Sequence, residues 1–326
     1  ILHKIKFKKT IHQFFPIDCN VVSSKFLNYW KPSKAFFVDS EIWPNMYTNL
    51  KKKNIPIVLL NGRITKKSFY RWKSFSSFSK KIFDYFDLCL TANNKSKEYL
   101  YKLGAKKIKF IGNLKYSQSE NEKIILKESI KKFISSKKTW CASSTHNPEE
   151  EFCGLVHKEL KSKHKNLLTI IIPRHIDRVE SIVNRLKELD LKVHLHGSKN
   201  KIKNDIDVYI VDAYGKTKSF YNFCKNIFLG GSLVNHGGQN PLEATRYGCN
   251  ILHGPNTENF SEIYKFLNKK KISYKVNTRK QMINCLNKLF SKKSDSKKIQ
   301  RKLKLIGNKI LENSYNEVKL ILKDEI

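Results

Sequence analysis

Short apolar runs recur along the chain, each closed by a polar or glycine-bearing turn and followed by a stretch of helical periodicity. The runs 35–38, 56–60, 88–91 and 107–111 read as strands. So do 139–142, 167–172, 193–196, 208–211, 227–229 and 249–252. Between them, residues 46–53, 66–85, 94–103, 149–164, 177–189, 218–225 and 241–247 read as helices, and the chain beyond residue 260 is helix-rich and basic. Strands that alternate with helices predict parallel α/β sheets. Ligands of such sheets sit at the carboxyl ends of the strands. Polar residues gather at those predicted ends: Asp39 with Glu41, Asn61 with Arg63, and Asn113 with Lys115.

The stretch from Phe228 to Glu243 stands out. An apolar strand ends in Gly230-Gly231-Ser232, a second glycine pair follows at Gly237-Gly238, and Asn240-Pro241-Leu242-Glu243 opens a helix. Asn suits the cap, Pro the first turn and Glu a position shortly after it. Glycines admit close backbone approach, and a helix N-terminus favours anions. A first-turn carboxylate can accept hydrogen bonds from sugar hydroxyls. The stretch predicts a pocket for a phosphorylated, hydroxyl-rich ligand such as a nucleotide.

Other positions keep two readings. Arg174, fixed beside Pro173 at a strand end, suits a phosphate or carboxylate, or is a loop arginine. Ser144, Thr145 and His146 offer hydroxyls and an imidazole, or cap the next helix. Asp39 and Glu41 suit acid/base work, or head a helix. Lys115 can hold an anion, or is one lysine among many. His194 and His196 alternate along one strand without a third ligand at a recognised spacing, so no metal site is expected. Neither a phosphate-binding GxxxxGK[ST] loop nor a GxSxG elbow occurs.

Composition adds partners rather than chemistry. Lys and Arg number 64 against 28 Asp and Glu, a net charge of +36. That excess predicts anionic partners: an anionic membrane surface, phosphorylated substrates or nucleic acid. No RNP-like aromatic motif, zinc finger or basic helix array supports the last. Seven scattered cysteines without a CxxC pair predict free, mostly buried thiols in a reducing compartment. No apolar run reaches the roughly 18 residues of a spanning helix, and none is expected within the chain.

The motifs together resemble the 3-deoxy-D-manno-octulosonic acid (Kdo) transferases of lipid A biosynthesis, glycosyltransferase family 30. The resemblance is carried in order by His12-Gln-Phe-Phe-Pro-Ile-Asp18, Asp39-Ser-Glu-Ile-Trp-Pro44, Leu60-Asn-Gly-Arg63, Gly112-Asn-Leu-Lys115 and Trp140-Cys-Ala-Ser-Ser-Thr-His146. It continues through Ile172-Pro-Arg-His175, Gly230 to Glu243, and His253-Gly-Pro-Asn-Thr-Glu-Asn-Phe260. It implies a GT-B fold, two Rossmann-like α/β domains facing across a cleft. Residues 1–115 would form the acceptor-side domain, 116–138 a linker, 139–310 the CMP-sugar domain and 311–326 a C-terminal helical segment.

The implied activity is inverting transfer of Kdo from CMP-Kdo to a lipid A precursor (lipid IVA), with no metal or other cofactor in the chemical step. The work would be done at the cytoplasmic face of a bacterial inner membrane, with no nucleic acid as partner. Carried over by position, Pro173, Arg174, Tyr214, Gly215, Lys216, Asn240, Pro241, Leu242 and Glu243 would touch the nucleotide. Gly230, Gly231, Ser232, Arg63, Ser144, Thr145 and His146 would complete the substrate site. Glu41 and Lys115 would stabilise the transition state. The family's general base lies in an N-terminal portion, with a membrane anchor and the first half of the first domain, that this chain is expected to begin after. No base is assigned, and Asp39 is not given that role. Lys216 and Asp39 each stand where the family more often has Glu, and Gln239 where it often has His. Other readings of the chain are a GT-B enzyme with a different nucleotide sugar, a basic nucleic-acid-binding protein, or a binding module without activity.

Overall fold

The apolar runs form two parallel sheets in a computed structural model that describes residues 9–118, 126–292 and 295–323. The start of the chain, Ile1 to Phe7, whose sequence reads like the middle of a domain, lies outside the described residues. The first sheet is built in chain order from β1 (Ala35–Val38), β2 (Ile57–Gly62), β3 (Leu88–Thr91) and β4 (Ile108–Phe110). The second holds β5 (Lys138–Thr145), β6 (Leu167–Pro173), β7 (Val193–Leu195), β8 (Val208–Ile210), β9 (Asn226–Leu229), β10 (Asn250–His253) and β11 (Ser273–Lys275). Its order is β11-β10-β9-β5-β6-β8-β7. Central strands are buried along their whole length, β6 and β9 among them. Parallel strands covered on both faces read as continuous apolar runs for this reason.

The chain divides into two compact units: residues 1–114 with 308–326, and residues 115–307. In the first, β1 and β2 pack Phe37, Ile57 and Leu59 against helices through Tyr47, Leu50, Phe83 and Leu100. On the opposite face, Val58, Leu88 and Leu90 meet Val318 and Ile321. These come from the end of the helix Ser296–Lys323. Over β1 that face is open: Phe36 and Val38 are 41% and 49% exposed.

The second unit has a core layer on each side of its sheet. One side carries Ile170, Val211, Phe220, Ile227 and Ile251. The other carries Trp140, Ile171, Phe228, Leu252 and Met282. Gly154, in the helix Glu149–Lys161, lets a neighbouring helix close in: a Cβ there would stand 2.7 Å from Leu186 Cδ2.

Several boundaries differ from the sequence reading. The helical stretch 66–85 is two helices, Lys66–Lys73 and Ser76–Phe83. Residues 126–138, expected within a linker, bring Leu126, Ile130, Phe133 and Ile134 into the second unit's core. Lysines and serines dominate that stretch, yet its apolar residues fall on one face of the helix Glu128–Ser135. The C-terminal helix starts at Ser296, well before the expected 311. Five of the seven thiols are buried, and burial pushes those of Cys141 and Cys153 well up.

At the amino ends of β6 and β8, a polar network is sealed into the second unit. His157 lies between Thr169 Oγ1 at 2.8 Å and Asp207 Oδ1 at 3.3 Å. Asp207 also accepts from Lys161 Nζ and from the Lys192 amide. Burial alone would raise the Asp207 pKa, but the hydrogen bonds from His157, Lys161 and Lys192 outweigh it and hold the carboxyl far below the usual range.

Its stabilisation is therefore present above the unfolded carboxyl value of about 3.9 and is lost as pH falls through the lower folded value. Asp207→Asn should destabilise the second unit by about 2 kcal/mol at pH 7 in urea unfolding. The gap between variant and wild type should close as the pH is lowered below about 4.

Candidate active site

Strand ends of the second unit converge on the glycine-rich stretch. Ser144 leaves β5 with φ of 56°, where the pairing of β5 with β6 shifts register. That left-handed residue turns Thr145 and His146 towards the end of β9. The Arg174 amide donates to Thr145 O at 3.1 Å and the Gly230 amide to Ser143 O at 2.9 Å. A Cβ on Gly230 would fall 2.4 Å from Ser144 O, so only glycine permits this approach. Ser144, Thr145, His146, Arg174 and Gly230 to Ser232 thus share one place, as the sequence predicts.

The residue that organises them was read only as part of a helix start. Glu149 is 1% exposed. Its Oε2 accepts from the amides of His146 at 2.9 Å and Gly231 at 2.7 Å. Its Oε1 accepts from Ser232 at 3.1 Å and Leu233 at 2.9 Å. Burial pushes its pKa up, with the four amides pulling the other way. All four contacts come from donors, so the form that fits is the carboxylate anion. The only signal in the sequence was its spacing, three residues after His146, which resembles a helix-capping acid.

The expectation that the glycine amides face a ligand does not hold for Gly230, Gly231 and Gly238. Those of Gly231 and Ser232 are taken by Glu149, that of Gly230 by Ser143, and that of Gly238 by Gly231 O at 2.8 Å. Side chains crowd this edge as well. The rings of His146 and His236 lie 4.3 Å apart and those of His146 and His175 6.1 Å apart. Burial, and next the His236 ring, keep His146 below its ordinary pKa, so it is neutral at pH 7. Its Nδ1 donates to Ser144 O at 3.1 Å, so its Nε2 is an acceptor, and that nitrogen and the hydroxyl of Thr145 are buried without a protein hydrogen bond among the described residues.

Asn240 Oδ1 accepts from the Leu242 amide at 3.1 Å, but the helix runs only from Leu242 to Arg246 with Pro241 at its cap, so the expected cap at Asn240 and first helical position at Pro241 each fall one residue too early. Glu243 Oε1 lies 4.0 Å from Lys218 Nζ, in the helix Thr217–Tyr221 that follows Tyr214-Gly215-Lys216. Gly215 has φ of 73° and open space around it, and Tyr214 is 64% exposed. Arg246 donates to the backbone carbonyl of Lys115, which fixes the chain at Lys115 beside this helix.

The first unit builds its own cluster at the ends of β1 and β2. Asp39 and Asn61, with φ of 59° and 53°, are joined by a hydrogen bond from Asn61 Nδ2 to Asp39 Oδ1. Asn61 Oδ1 accepts from the Leu114 amide at 2.9 Å. The Arg63 amide donates to Asp39 O at 3.0 Å, and Ser40 Oγ to Arg63 O at 2.6 Å. Glu41 Oε2 accepts from Trp43 Nε1 at 2.8 Å and its carbonyl from Tyr47 Oη at 2.5 Å. Arg63 is therefore tied to Asp39 and Ser40 at the ends of β1 and β2.

Solved structures share this architecture. A putative UDP-N-acetylglucosamine 2-epimerase from Listeria monocytogenes matches 93% of this chain and 78% of its own, with TM-score 0.58 at 12% identity. The UDP-GlcNAc 2-epimerase of Neisseria meningitidis matches 91% of this chain and 78% of its own, with TM-score 0.57 at 13% identity. The fold is α/β of the GT-B class.

Sequence carries the assignment further. The family described as 3-Deoxy-D-manno-octulosonic-acid transferase (kdotransferase) matches residues 2–118. The 3-deoxy-D-manno-octulosonic acid transferase of Haemophilus influenzae is 30% identical over 261 residues, 78% of this chain and 61% of that protein. The enzyme of the same name in Rickettsia prowazekii is 30% identical over 293 residues, 87% of this chain and 61% of that protein. The chain is a relative of the Kdo transferases, and it spans about three fifths of the length of these two.

A glutamine at 149 keeps the shape but turns an amide N–H towards backbone donors that now meet a carboxylate. Glu149→Gln should cost about 2–3 kcal/mol in stability. Amide exchange at residues 231–233 should accelerate by roughly the corresponding 30- to 150-fold when followed by hydrogen-exchange mass spectrometry.

Proposed function

We propose that the chain is the working part of an inverting glycosyltransferase that moves Kdo from CMP-Kdo to a lipid A precursor. The observation that carries this reading is the strand-end cluster of the second unit. There Arg174, two buried unpartnered polar atoms and the Asn240 to Glu243 helix start occur within the ordered motifs of the Kdo transferase relatives. In this reading the CMP phosphate lies by Arg174, and the acceptor Nε2 of His146 takes a donor group of the bound nucleotide sugar. The ribose hydroxyls lie by Glu243, and the turn at Tyr214, Gly215 and Lys216 closes over the nucleotide.

An acceptor hydroxyl attacks the anomeric carbon of Kdo from the face opposite the phosphate. The carbon–oxygen bond to CMP breaks, and the phosphate departs with its charge. Cationic donors stabilise that charge as it develops, a task given to Arg174 and Lys115. This reading assigns stabilisation of the sugar's positive character to Glu41, and it gives no step to a metal. The hydroxyl proton leaves to a base that no residue of this chain is assigned to supply. The net charge of +36 suits work at an anionic membrane surface, here the cytoplasmic face of the inner membrane. Among the described residues no helix is long and apolar enough to cross a membrane.

CMP at a hundredfold excess over its Kd should add roughly 2.7 kcal/mol to the stability of the chain, visible as a rise in Tm. UDP at the same concentration should raise it less. Arg174→Ala and Glu243→Ala should each weaken CMP binding by roughly tenfold in calorimetry. An unchanged Tm with CMP, or an equal response to UDP, would remove the support for a CMP-sugar donor.

A further inference from the structure

At the amino ends of β9, β10 and β11, opposite the strand ends described above, the second unit holds a cavity of about 490 Å³. Pockets of this size accommodate small ligands. Its wall carries Lys225, Lys270, Lys271, Lys292, Lys298 and Lys302 against the single carboxylate of Asp295. Lys and Arg make up 64 of the 326 residues, roughly a fifth, whereas lysine alone supplies six of the fourteen residues here, about twice the background.

Helix ends explain part of this. Lys270, Lys271 and Lys292 follow the helices Ser261–Lys269 and Arg279–Phe290, whose carboxyl ends attract cations. Lys298 falls in the first turn of the helix Ser296–Lys323, where the helix dipole disfavours a cation, and Lys302 stands one turn further on. Among the described residues, no ion pair ties Lys270, Lys271, Lys298 or Lys302 to a carboxylate. Lys271 also sits at φ of 57°, a conformation that costs a lysine energy and holds it at the rim.

The floor is apolar, with Ile272, Leu289 and Ile299 each less than a tenth exposed. A second cavity of about 230 Å³ adjoins the first, sharing Lys270, Ile272 and Lys302 with it. Its remaining walls are Phe266, Leu303, Leu305 and Ile306, and Leu305 is 62% exposed. Lysines thus surround one compartment and hydrocarbon lines the next, with Lys270 and Lys302 at the join.

We propose that this double cavity binds a phosphate-bearing amphiphile, with its phosphate among the lysines and its alkyl chain in the apolar slot. Clustered ammonium groups favour a phosphate over a single carboxylate. The slot selects for a hydrocarbon tail, which separates a lipid source from free phosphate. The site is independent of the nucleotide reading, since it shares no residue with it.

The test is calorimetry on the full chain with dodecyl phosphate below its micelle concentration, beside inorganic phosphate. Dodecyl phosphate should bind roughly tenfold tighter than inorganic phosphate or better, because burial of the chain adds to the ionic contacts. The double variant Lys270→Glu with Lys302→Glu should weaken it by roughly tenfold or more, and Leu305→Gln by about threefold. These three residues are exposed, and the milder pair Lys270→Gln with Lys302→Gln should fall between the double variant and wild type. Equal affinity for the two ligands would reduce the cavity to a free-phosphate site and overturn the proposal. So would wild-type binding by both the lysine and the leucine variants, or displacement of dodecyl phosphate by CMP.

Discussion

One buried carboxylate fixes the shape of the second unit's strand ends. Glu149 gathers four backbone amides from two loops, one beside its own helix and one 82 residues further along. A carboxylate withdrawn from water needs such donors to offset its desolvation, and the loops need it to satisfy amides that have no strand to pair with. Neither arrangement is stable without the other. Glycine at 230 follows from the same closeness, because a side chain would intrude on Ser144 and on the carboxylate. Once these loop amides are consumed inward, they are closed to a ligand, and the contacts proposed for the nucleotide are side chains, namely Arg174, the imidazoles and the acid of Glu243.

The first unit solves a similar problem with shorter side chains. Asp39 and Asn61 end adjacent parallel strands in left-handed conformations and close on each other, and Asn61 then captures the Leu114 amide. Asp and Asn tolerate that conformation better than most residues, and their side chains supply the hydrogen bonds that the departing backbone lacks. Ser144 repeats the device in the second unit. In both units the residues that read as chemical candidates are also those that let a strand turn sharply into its next helix. Residue type alone could not separate these roles.

The fold was legible because a parallel sheet announces itself through short apolar runs at helix-length intervals, and the runs at β5, β6 and β9 are nearly pure in this respect. The grouping of Arg174 with Ser144 to His146 and Gly230 to Ser232 was legible for a related reason: parallel strands deliver their carboxyl ends to one edge. The direction of Glu149 was not legible. A helix-start acid looks the same whether it caps its own turn or reaches across to another loop. The lysine cavity was hidden for the opposite reason. Its residues come from positions between 225 and 302 in a chain where lysine is everywhere, and only folding separates clustered cations from scattered ones. The core role of Ile130, Phe133 and Ile134 was masked by the lysines and serines around them.

The open face over β1 bears on how the protein behaves outside its setting. β1 is the edge of its sheet among the described residues, and Phe36 and Val38 point away from the buried side on which Phe37 sits. An edge strand offers unpaired amides and carbonyls, and apolar side chains beside them remove the charge that usually keeps strands of different molecules apart. Covering that apolar margin would stabilise the first unit by about 25 cal/mol for each Å² removed from water.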